Sequence, residues 1–424
     1  MKEVLLSFQV RVRIERTDVN WLEATLLVER ERCFREALLT VLHQIEGGMG
    51  EAPQEPCATC GGPWRGNGRK SRSLGTLLGP VTFTRTRLRC RDCGAERYPL
   101  DEALGLAPGM KHTLGVRERA LWAATEVSYE KSERFLAKFT GLEVSRGTIH
   151  GLAREEGERL LTQEAATRVA VFTQGQPPPP PLRRPRLLFI QVDGTGVRNR
   201  ATRSSMESKV GVVFSERARV AAHRIELVDK RCVVSLEPVE AFGESLWLEA
   251  VRQGVETAAQ VVFVSDGAPW TQNVQRTHFP QALYVLDLWH LERACRDALG
   301  AEHPAIPALL ALARAGQPEE LRRCLHRLAG RAPTAEERTR RTGLVEYVAL
   351  NAAGIRNLPQ AAIWGSGAVE KQVDVLVCRR FKTRGMSWYR PGAAALQRLR
   401  VLKANGDWDA YWGERQQACA RYAA

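Results

Sequence analysis

Apolar residues recur at helical spacing from about residue 18 to 46, until Gly47-Gly-Met-Gly50 interrupts them. The pattern predicts one long helix within an amino-terminal segment covering 1–50. Between 51 and 105 the helical period is lost, and Val81-Thr-Phe-Thr-Arg-Thr-Arg-Leu-Arg89 alternates as a strand does. Helical spacing returns from 112 to 170. Here Ser128 reads as a helix cap, Thr140-Gly-Leu-Glu-Val144 as a glycine-containing break, and Ser145 as the cap of a second helix. This describes either a packed helical hairpin or a helix-turn-helix whose second helix enters the major groove of DNA. In the latter, Ser145, Arg146, Thr148 and His150 stand near the leading turn.

The run Pro177–Pro181 can join neither a helix nor a central strand, so 171–186 is expected to be a linker. Beyond it the period switches to strands at Leu187–Val192, Lys209–Phe214, Arg219–Val228, Gln260–Val264 and Ala282–Leu286, with a helix at about 239–258. Three strands, a helix and two more strands is the order of a ribonuclease H-like sheet, in which strands one and four are neighbours. From about 287 to 355 the pattern is almost wholly helical. The expected fold class is therefore multidomain α+β. Amino-terminal helices, a zinc-ribbon-like module (51–105) and a helix-turn-helix region (112–170) precede a ribonuclease H-like α/β domain. That domain begins over 187–300, takes a helical insertion over 301–358, and resumes over 359–424.

Charge narrows the class of partner. Lys and Arg number 62 against 48 Asp and Glu, a net +14, and such a surplus favours a polyanion, because neutralised phosphates release condensed counterions. No apolar run approaches the roughly 18 residues of a membrane span, and charges interrupt the amino terminus before a secretory signal could form. The ten cysteines are accordingly expected as reduced thiols in the cytoplasm.

Four of those cysteines form two knuckles, Cys57-Ala-Thr-Cys60 and Cys90-Arg-Asp-Cys93. Two residues between thiolates let both reach one tetrahedral Zn²⁺ at about 2.3 Å. With all four positions cysteine, the ion expected is structural, leaving no open position for catalysis. Eight Lys or Arg and one acid lie between Cys57 and Cys93. Arg69 and Lys70, with Arg85, Arg87 and Arg89 on one face of the alternating strand, make a candidate phosphate-tracking strip; a merely solvated face is the alternative.

Two strands end in an aspartate followed by glycine, at Val192-Asp193-Gly and Ser265-Asp266-Gly. At the carboxyl edge of an α/β sheet, where ligands bind, two such acids can share divalent cations. Glu370, in Gly365-Ser-Gly-Ala-Val-Glu370, is the third candidate, favoured over Glu346 because the glycines leave backbone room beside a substrate. Glu207, Asp229 and Asp287 are rival acids. From Val375 to Gly406 there is no acid but eight cations, Arg379, Arg380, Lys382 and Arg384 among them, with Trp388 and Tyr389 available to stack on unpaired bases. Carboxylates of this kind suit Mg²⁺ or Mn²⁺, and an ion pair about 3.5–4 Å apart stabilises both the attacking and leaving oxygens of a phosphodiester displacement.

Together these motifs resemble the bacterial insertion-sequence transposases with a DDE triad, of the Kra and Lre element groups, which are distantly similar to Mutator-like transposases. The resemblance rests on Val-Asp193-Gly-Thr-Gly, Val-Ser-Asp266-Gly-Ala-Pro-Trp, Leu-Asp287-Leu-Trp-His290-Leu, Gly-Ser-Gly-Ala-Val-Glu370 and Arg384-Gly-Met-Ser-Trp388, and covers roughly 50 to 412. It implies Asp193, Asp266 and Glu370 as ligands of two Mg²⁺ or Mn²⁺ ions. It also marks Asp287 and His290 as a motif following the second aspartate. The function it implies is a transposase that binds the terminal inverted repeats of its element, cleaves and joins double-stranded DNA, and works as a homo-oligomer in the synaptic complex. A domesticated DNA-binding regulator and a stand-alone ribonuclease H-like nuclease are the alternatives; an intact acid triad argues against the first, and an elaborate amino terminus against the second. No P-loop motif is present, so nucleotide hydrolysis is not indicated.

Overall fold

The computed structural model describes residues 5–48, 55–222, 224–361 and 365–422, and the chain divides into two compact units. The first runs to Leu152 and takes in the segment from Trp408 onward; the second is Ala153–Asp407.

In the first unit, α1 (Val19–Gly47) begins where the Asp18 carboxylate accepts the Trp21 N–H at 3.0 Å, and Gly48 caps its end. Met49 and Gly50 of the predicted stop lie outside the described residues. A long antiparallel hairpin follows, β1 (Trp64–Thr76) and β2 (Gly79–Cys90), with the short β3 (Glu96–Arg97) on its outer edge. Leu42, Leu74, Val81, Phe83 and Leu100 form its core, each such burial contributing about 1.5–3 kcal/mol. Then come α2 (Pro99–Ala103), α3 (Leu114–Glu126), α4 (Tyr129–Thr140) and α5 (Arg146–Arg168). Ser128 and Ser145 do cap, accepting from the N–H groups of Lys131 at 3.3 Å and Thr148 at 3.2 Å, and Gly141 turns the chain at φ +67°. The final helix, Trp408–Tyr422, buries Trp408 and Trp412 in this unit, with Trp122 edge-on to Trp408 at 5.3 Å. Sequence reading had assigned it to the second domain.

The second unit starts inside α5, so the proline run does not mark the division. The later part of α5 packs within that unit, where Gly157 admits the backbone of Ala395 so closely that a Cβ would lie 2.5 Å from the Ala395 Cα. Its five-stranded sheet comprises β4 (Leu187–Arg198), β5 (Ser205–Phe214), β8 (Arg231–Ser235), β9 (Gln260–Ser265) and β10 (Leu283–Leu286), in the order β10-β9-β4-β5-β8. β4 pairs in parallel with β9, which pairs in parallel with β10, while β5 and β8 are antiparallel. The predicted strand at 219–228 is corrected: β6 (Glu216–Ala221) and β7 (Arg224–Val228) form a separate two-stranded hairpin, and the third strand of the main sheet is β8. Its short Arg231-Cys-Val-Val-Ser carries no alternation, because it is buried on both faces.

One face of the sheet packs on α6 (Val239–Arg252) and α7 (Pro269–His278) through Leu188, Ile190, Val192, Phe242, Leu246 and Phe263. Helices α8 (Leu288–Leu299), α9 (Ile306–Arg314), α10 (Pro318–Gly330), α11 (Ala335–Leu350) and α12 (Ala352–Arg356) fulfil the predicted helical stretch. The chain then returns to the sheet's other face as α13 (Gly367–Gln372), a π-helical turn (Val373–Cys378), α14 (Arg379–Phe381) and α15 (Arg390–Ala404).

A candidate metal centre at the sheet edge and a four-thiolate cluster

Strand register builds the first site. Val192 of β4 pairs with Ser265 of β9, and Ser265 with Leu286 of β10. Asp193, Asp266 and Asp287 are each the next residue along three neighbouring parallel strands, so they emerge together at the carboxyl edge. β4 itself does not end at Asp193, as the sequence suggested. It continues to Arg198 because β5 supplies a partner from Val210 to Ser205, while on the β9 side the ladder stops and leaves Asp193 open.

Each acid is held differently. Asp193 is half-buried and accepts the Gly194 N–H at 2.7 Å. Burial raises its pKa, and the neighbouring charges of Asp266 and Glu370 raise it further, against the Gly194 hydrogen bond and the opposing pull of His290. Asp266 caps the turn into α7, accepting from the Ala268 N–H at 2.9 Å, and the Tyr347 hydroxyl donates to its backbone carbonyl at 2.7 Å. The next residue, Gly267, has φ +83°, and a Cβ there would meet the Asn351 side chain at 2.5 Å. Asn351 is fully buried, bonded to Gln272, Tyr284 and Tyr347, and ties the end of the helical block to the Asp266 loop.

Asp287 is fully buried and saturated. Its Oδ1 accepts the Trp289 N–H at 2.8 Å; its Oδ2 accepts the His290 Nδ1–H at 2.9 Å, the Ser366 N–H at 3.0 Å and the Ser366 hydroxyl. Burial pushes the Asp287 pKa up, but these hydrogen bonds outweigh it and hold the group below the usual carboxylate range. For His290, burial lowers the pKa and is outweighed by Asp287, Asp266 and Asp193, so the net shift is upward. With Nδ1 committed to Asp287, Nε2 is the nitrogen left to face a ligand.

Glu370 reaches the site because two buried clamps fix the start of α13. Ser366 is one, bonded to Asp287 and, through its hydroxyl, to the Glu370 carboxylate at 3.2 Å. Gln191 is the other: its Nε2 donates to the Gly365 carbonyl at 3.0 Å and its Oε1 accepts the Val369 N–H at 3.1 Å. Gln191 lies two residues before Asp193, hence on the same face of β4. Sequence reasoning missed it, although one fully buried amide within Leu187-Leu-Phe-Ile-Gln-Val was a visible signal.

Among the described residues, the group tight enough for one ion at this edge is Asp287, His290 and Glu370, whose ligand atoms all lie within 4.8 Å of one another. Asp193 and Asp266 stand outside that group, so the expected cage of Asp193, Asp266 and Glu370 is not closed in this structure. Because the oxygens of Asp287 are already occupied, its part is to orient His290. The donors left for a cation are Glu370, the Nε2 of His290, and the two aspartates whose charges reach them.

The second site is the cysteine cluster. Sγ of Cys57 and Cys93 are 3.7 Å apart, those of Cys60 and Cys90 3.5 Å, and all four lie within 4.8 Å. Bonds of about 2.3 Å at a tetrahedral centre separate sulfurs by about 3.8 Å, so the cluster is compatible with structural zinc. Gly61 and Gly94 turn each knuckle at φ +76° and +74°. Backbone N–H groups of Thr59 and Cys60 pull the Cys57 thiol down to about 6, and those of Cys93 and Asp92 pull Cys90 down as well.

The predicted DNA contacts divide. Arg69, Lys70, Arg89, Ser145, Arg146, Lys382 and Arg384 are exposed, and Thr148 and Trp388 half-buried. Arg379 is exposed and paired with Asp374 at 2.8 Å. Arg85 is instead buried, bonded to Asp101 at 2.8 Å, and Arg87 pairs with Glu96. The alternating strip is lost because residues 96–111 fold back over that face. Arg380 is also buried, over the Trp388 ring at 5.1 Å.

The model of an uncharacterised protein family, UPF0236, matches residues 15–416. The chain belongs to UPF0236. Among its relatives, a UPF0236 protein of Caldanaerobacter subterraneus subsp. tengcongensis is 21% identical over 83% of this chain and 72% of its own length. A second from that organism is 20% identical over 94% of this chain and 82% of its own. A UPF0236 protein "in vanSb 3′ region" of Streptococcus gallolyticus is 22% identical over 82% and 76%. The match to UPF0236 spans both the cysteine cluster and the acidic edge. No helix among the described residues is long and apolar enough to cross a membrane.

Proposed function

We propose that the chain is a DNA transposase, and that Asp193, Asp266 and Glu370, with His290 beside them, hold Mg²⁺ or Mn²⁺ ions for strand cleavage and strand transfer. The observation that carries this reading is the register Val192–Ser265–Leu286, which brings three acids to one sheet edge, together with the clamps that return Glu370 to it. The strand order β10-β9-β4-β5-β8 supports the reading of a ribonuclease H-like fold, and the paired knuckles at the open end of a β-hairpin suit a zinc-ribbon-like module.

Bound cations would stabilise charge on the attacking and leaving oxygens of an in-line displacement at phosphorus. The protein's own groups do the rest. Burial first, and then the charges of Asp266 and Glu370, raise the Asp193 pKa, and a bound cation would relieve that cost. Asp287 fixes the ring of His290, and Gln191 and Ser366 fix Glu370. Exposed Lys382 and Arg384 lie on the segment that follows and would hold the DNA backbone. Water would first release a 3′-hydroxyl at the element end, and that hydroxyl would then attack target DNA. One further support comes from a relative whose name strings together eleven designations, as a sequence repeated through a genome would.

The test is incubation with Mg²⁺ or Mn²⁺ and a duplex carrying candidate inverted repeats taken from the DNA that flanks the gene. Wild type should nick at the repeat boundary and join the freed end to a second duplex. Asp193→Asn, Asp266→Asn and Glu370→Gln should do neither; identical products from wild type and these variants would overturn the reading.

A further inference from the structure

The first unit contains a cavity of about 560 Å³ unrelated to the acidic edge, lying between the β1–β2 hairpin and residues 96–111. Its size falls within the roughly 300–1,000 Å³ typical of small-ligand sites. The floor is rigid. Arg72 and Arg85 both bond Asp101 Oδ2, at 2.6 and 2.8 Å, and their other N–H groups are used on the carbonyls of Ala107, Met110 and Lys70. Tyr98 forms one wall, with the Arg85 guanidinium 4.0 Å from its ring, and Leu106, Pro108 and Met110 supply apolar surface.

Lys70 lies 6.0 Å over the Tyr98 ring. Among the described residues, Lys70 and Lys111 form no ion pair, whereas the other lining charges are matched: Arg97 with Glu102, Glu96 with Arg87, and both buried arginines with Asp101. A ligand that satisfies the whole set carries phosphate charge for the two lysines and a flat ring for the Tyr98 and apolar walls.

We propose that this cavity binds one nucleotide unit, with its phosphate at Lys70 and Lys111 and its base against Tyr98 and Met110. That unit is either a free nucleotide or an unstacked nucleotide of a bound strand. Extruding one from a duplex costs a few kcal/mol, least where it is already unpaired. The cavity belongs to the first unit and the acids to the second, so nucleotide binding and strand chemistry succeed or fail separately.

The experiment uses the full chain carrying Asp193→Asn, so that no cleavage consumes the probe. Calorimetric titration with deoxyadenosine 5′-monophosphate tests the free nucleotide; fluorescence of a duplex bearing one unpaired 2-aminopurine tests the strand. Saturable binding of either, at one site per chain, is expected. Lys70→Gln with Lys111→Gln should weaken it by about tenfold or more without changing the melting profile. Arg322→Gln with Arg323→Gln, an equal loss of charge on exposed α10, should leave it unchanged. Binding of the monophosphate identifies a free nucleotide as ligand, and binding of the unpaired probe alone identifies a strand. Binding of neither, or equal weakening by both double variants, overturns the proposal.

Discussion

Replacing Gln191 by leucine should separate the two halves of the acidic site while leaving every acid in place. Leucine has nearly the same bulk and suits a buried strand, so packing survives. What is lost is the pair of hydrogen bonds to the Gly365 carbonyl and the Val369 N–H. Gln191 is fully buried, so water cannot replace it readily. Two unsatisfied backbone groups cost about 1–3 kcal/mol each, and the apolar side chain recovers on the order of 1 kcal/mol. The expected net loss is about 1–5 kcal/mol, or roughly 2–20 °C in the unfolding of the unit that contains the sheet. Calorimetric melting measures the first effect and Mn²⁺ titration the second. Loss of a supporting hydrogen bond behind a ligand typically weakens metal affinity by about 10–100-fold, and Gln191→Leu should fall in that range. Gln191→Glu keeps the acceptor for Val369, so it should retain more stability than Gln191→Leu while setting another negative charge beside Asp193. A Gln191→Leu protein that melts with the parent and binds Mn²⁺ as tightly would refute the clamp.

Three further outcomes follow from the same geometry. Without added cation, Asp193→Asn should stabilise the protein progressively as pH rises. A carboxyl whose folded pKa lies above its unfolded value contributes stability at low pH and loses it as pH climbs through the folded value; a parent-to-variant difference that does not change with pH in denaturant titrations contradicts this. Metal analysis should find one zinc per chain, lost in Cys60→Ser with unfolding of the knuckles, whereas rapid reaction of all four thiols in the native, metal-free protein counts against the site. Gly267→Ala should cost about 2–5 kcal/mol in denaturant titrations, since φ is +83° and a Cβ overlaps Asn351; a near-neutral effect would mean that Asn351 yields.

Much of the sheet was legible because two of its three parallel strands are largely apolar runs closed by Asp-Gly, and helical periodicity located the block after β10. The third strand was not legible. Arg231–Ser235 is too short to show a period, while the more regular 216–228 pairs only with itself. The division between units was misplaced for a related reason. Pro177–Pro181 announces itself by composition, whereas the real division falls inside α5, where Gly157 is the only local sign of close packing. At the site, residue types were readable but their partners were not. Arg85 and Arg380 look like surface cations in sequence, and both are buried by segments that fold back over them. Asp287 was marked with His290 by the motif they share, but its bond to Ser366 was not readable.

Asp287 also has a consequence for how this chain can vary. It caps the first turn of α8 and receives Ser366 from the far end of the helical block, so one side chain fastens both ends of the stretch from Leu288 to Gly365 like a clasp. Closing a loop costs only about 0.6 kcal/mol more when its length doubles. Helices α9 and α10 inside the clasp can therefore be lengthened, trimmed or exchanged at small entropic cost, while Tyr347 and Asn351 hold the later helices to the Asp266 loop and Glu370 still arrives at the sheet edge. Such a protein can acquire new outer surfaces, and with them new companions, while the acids beneath keep their registration.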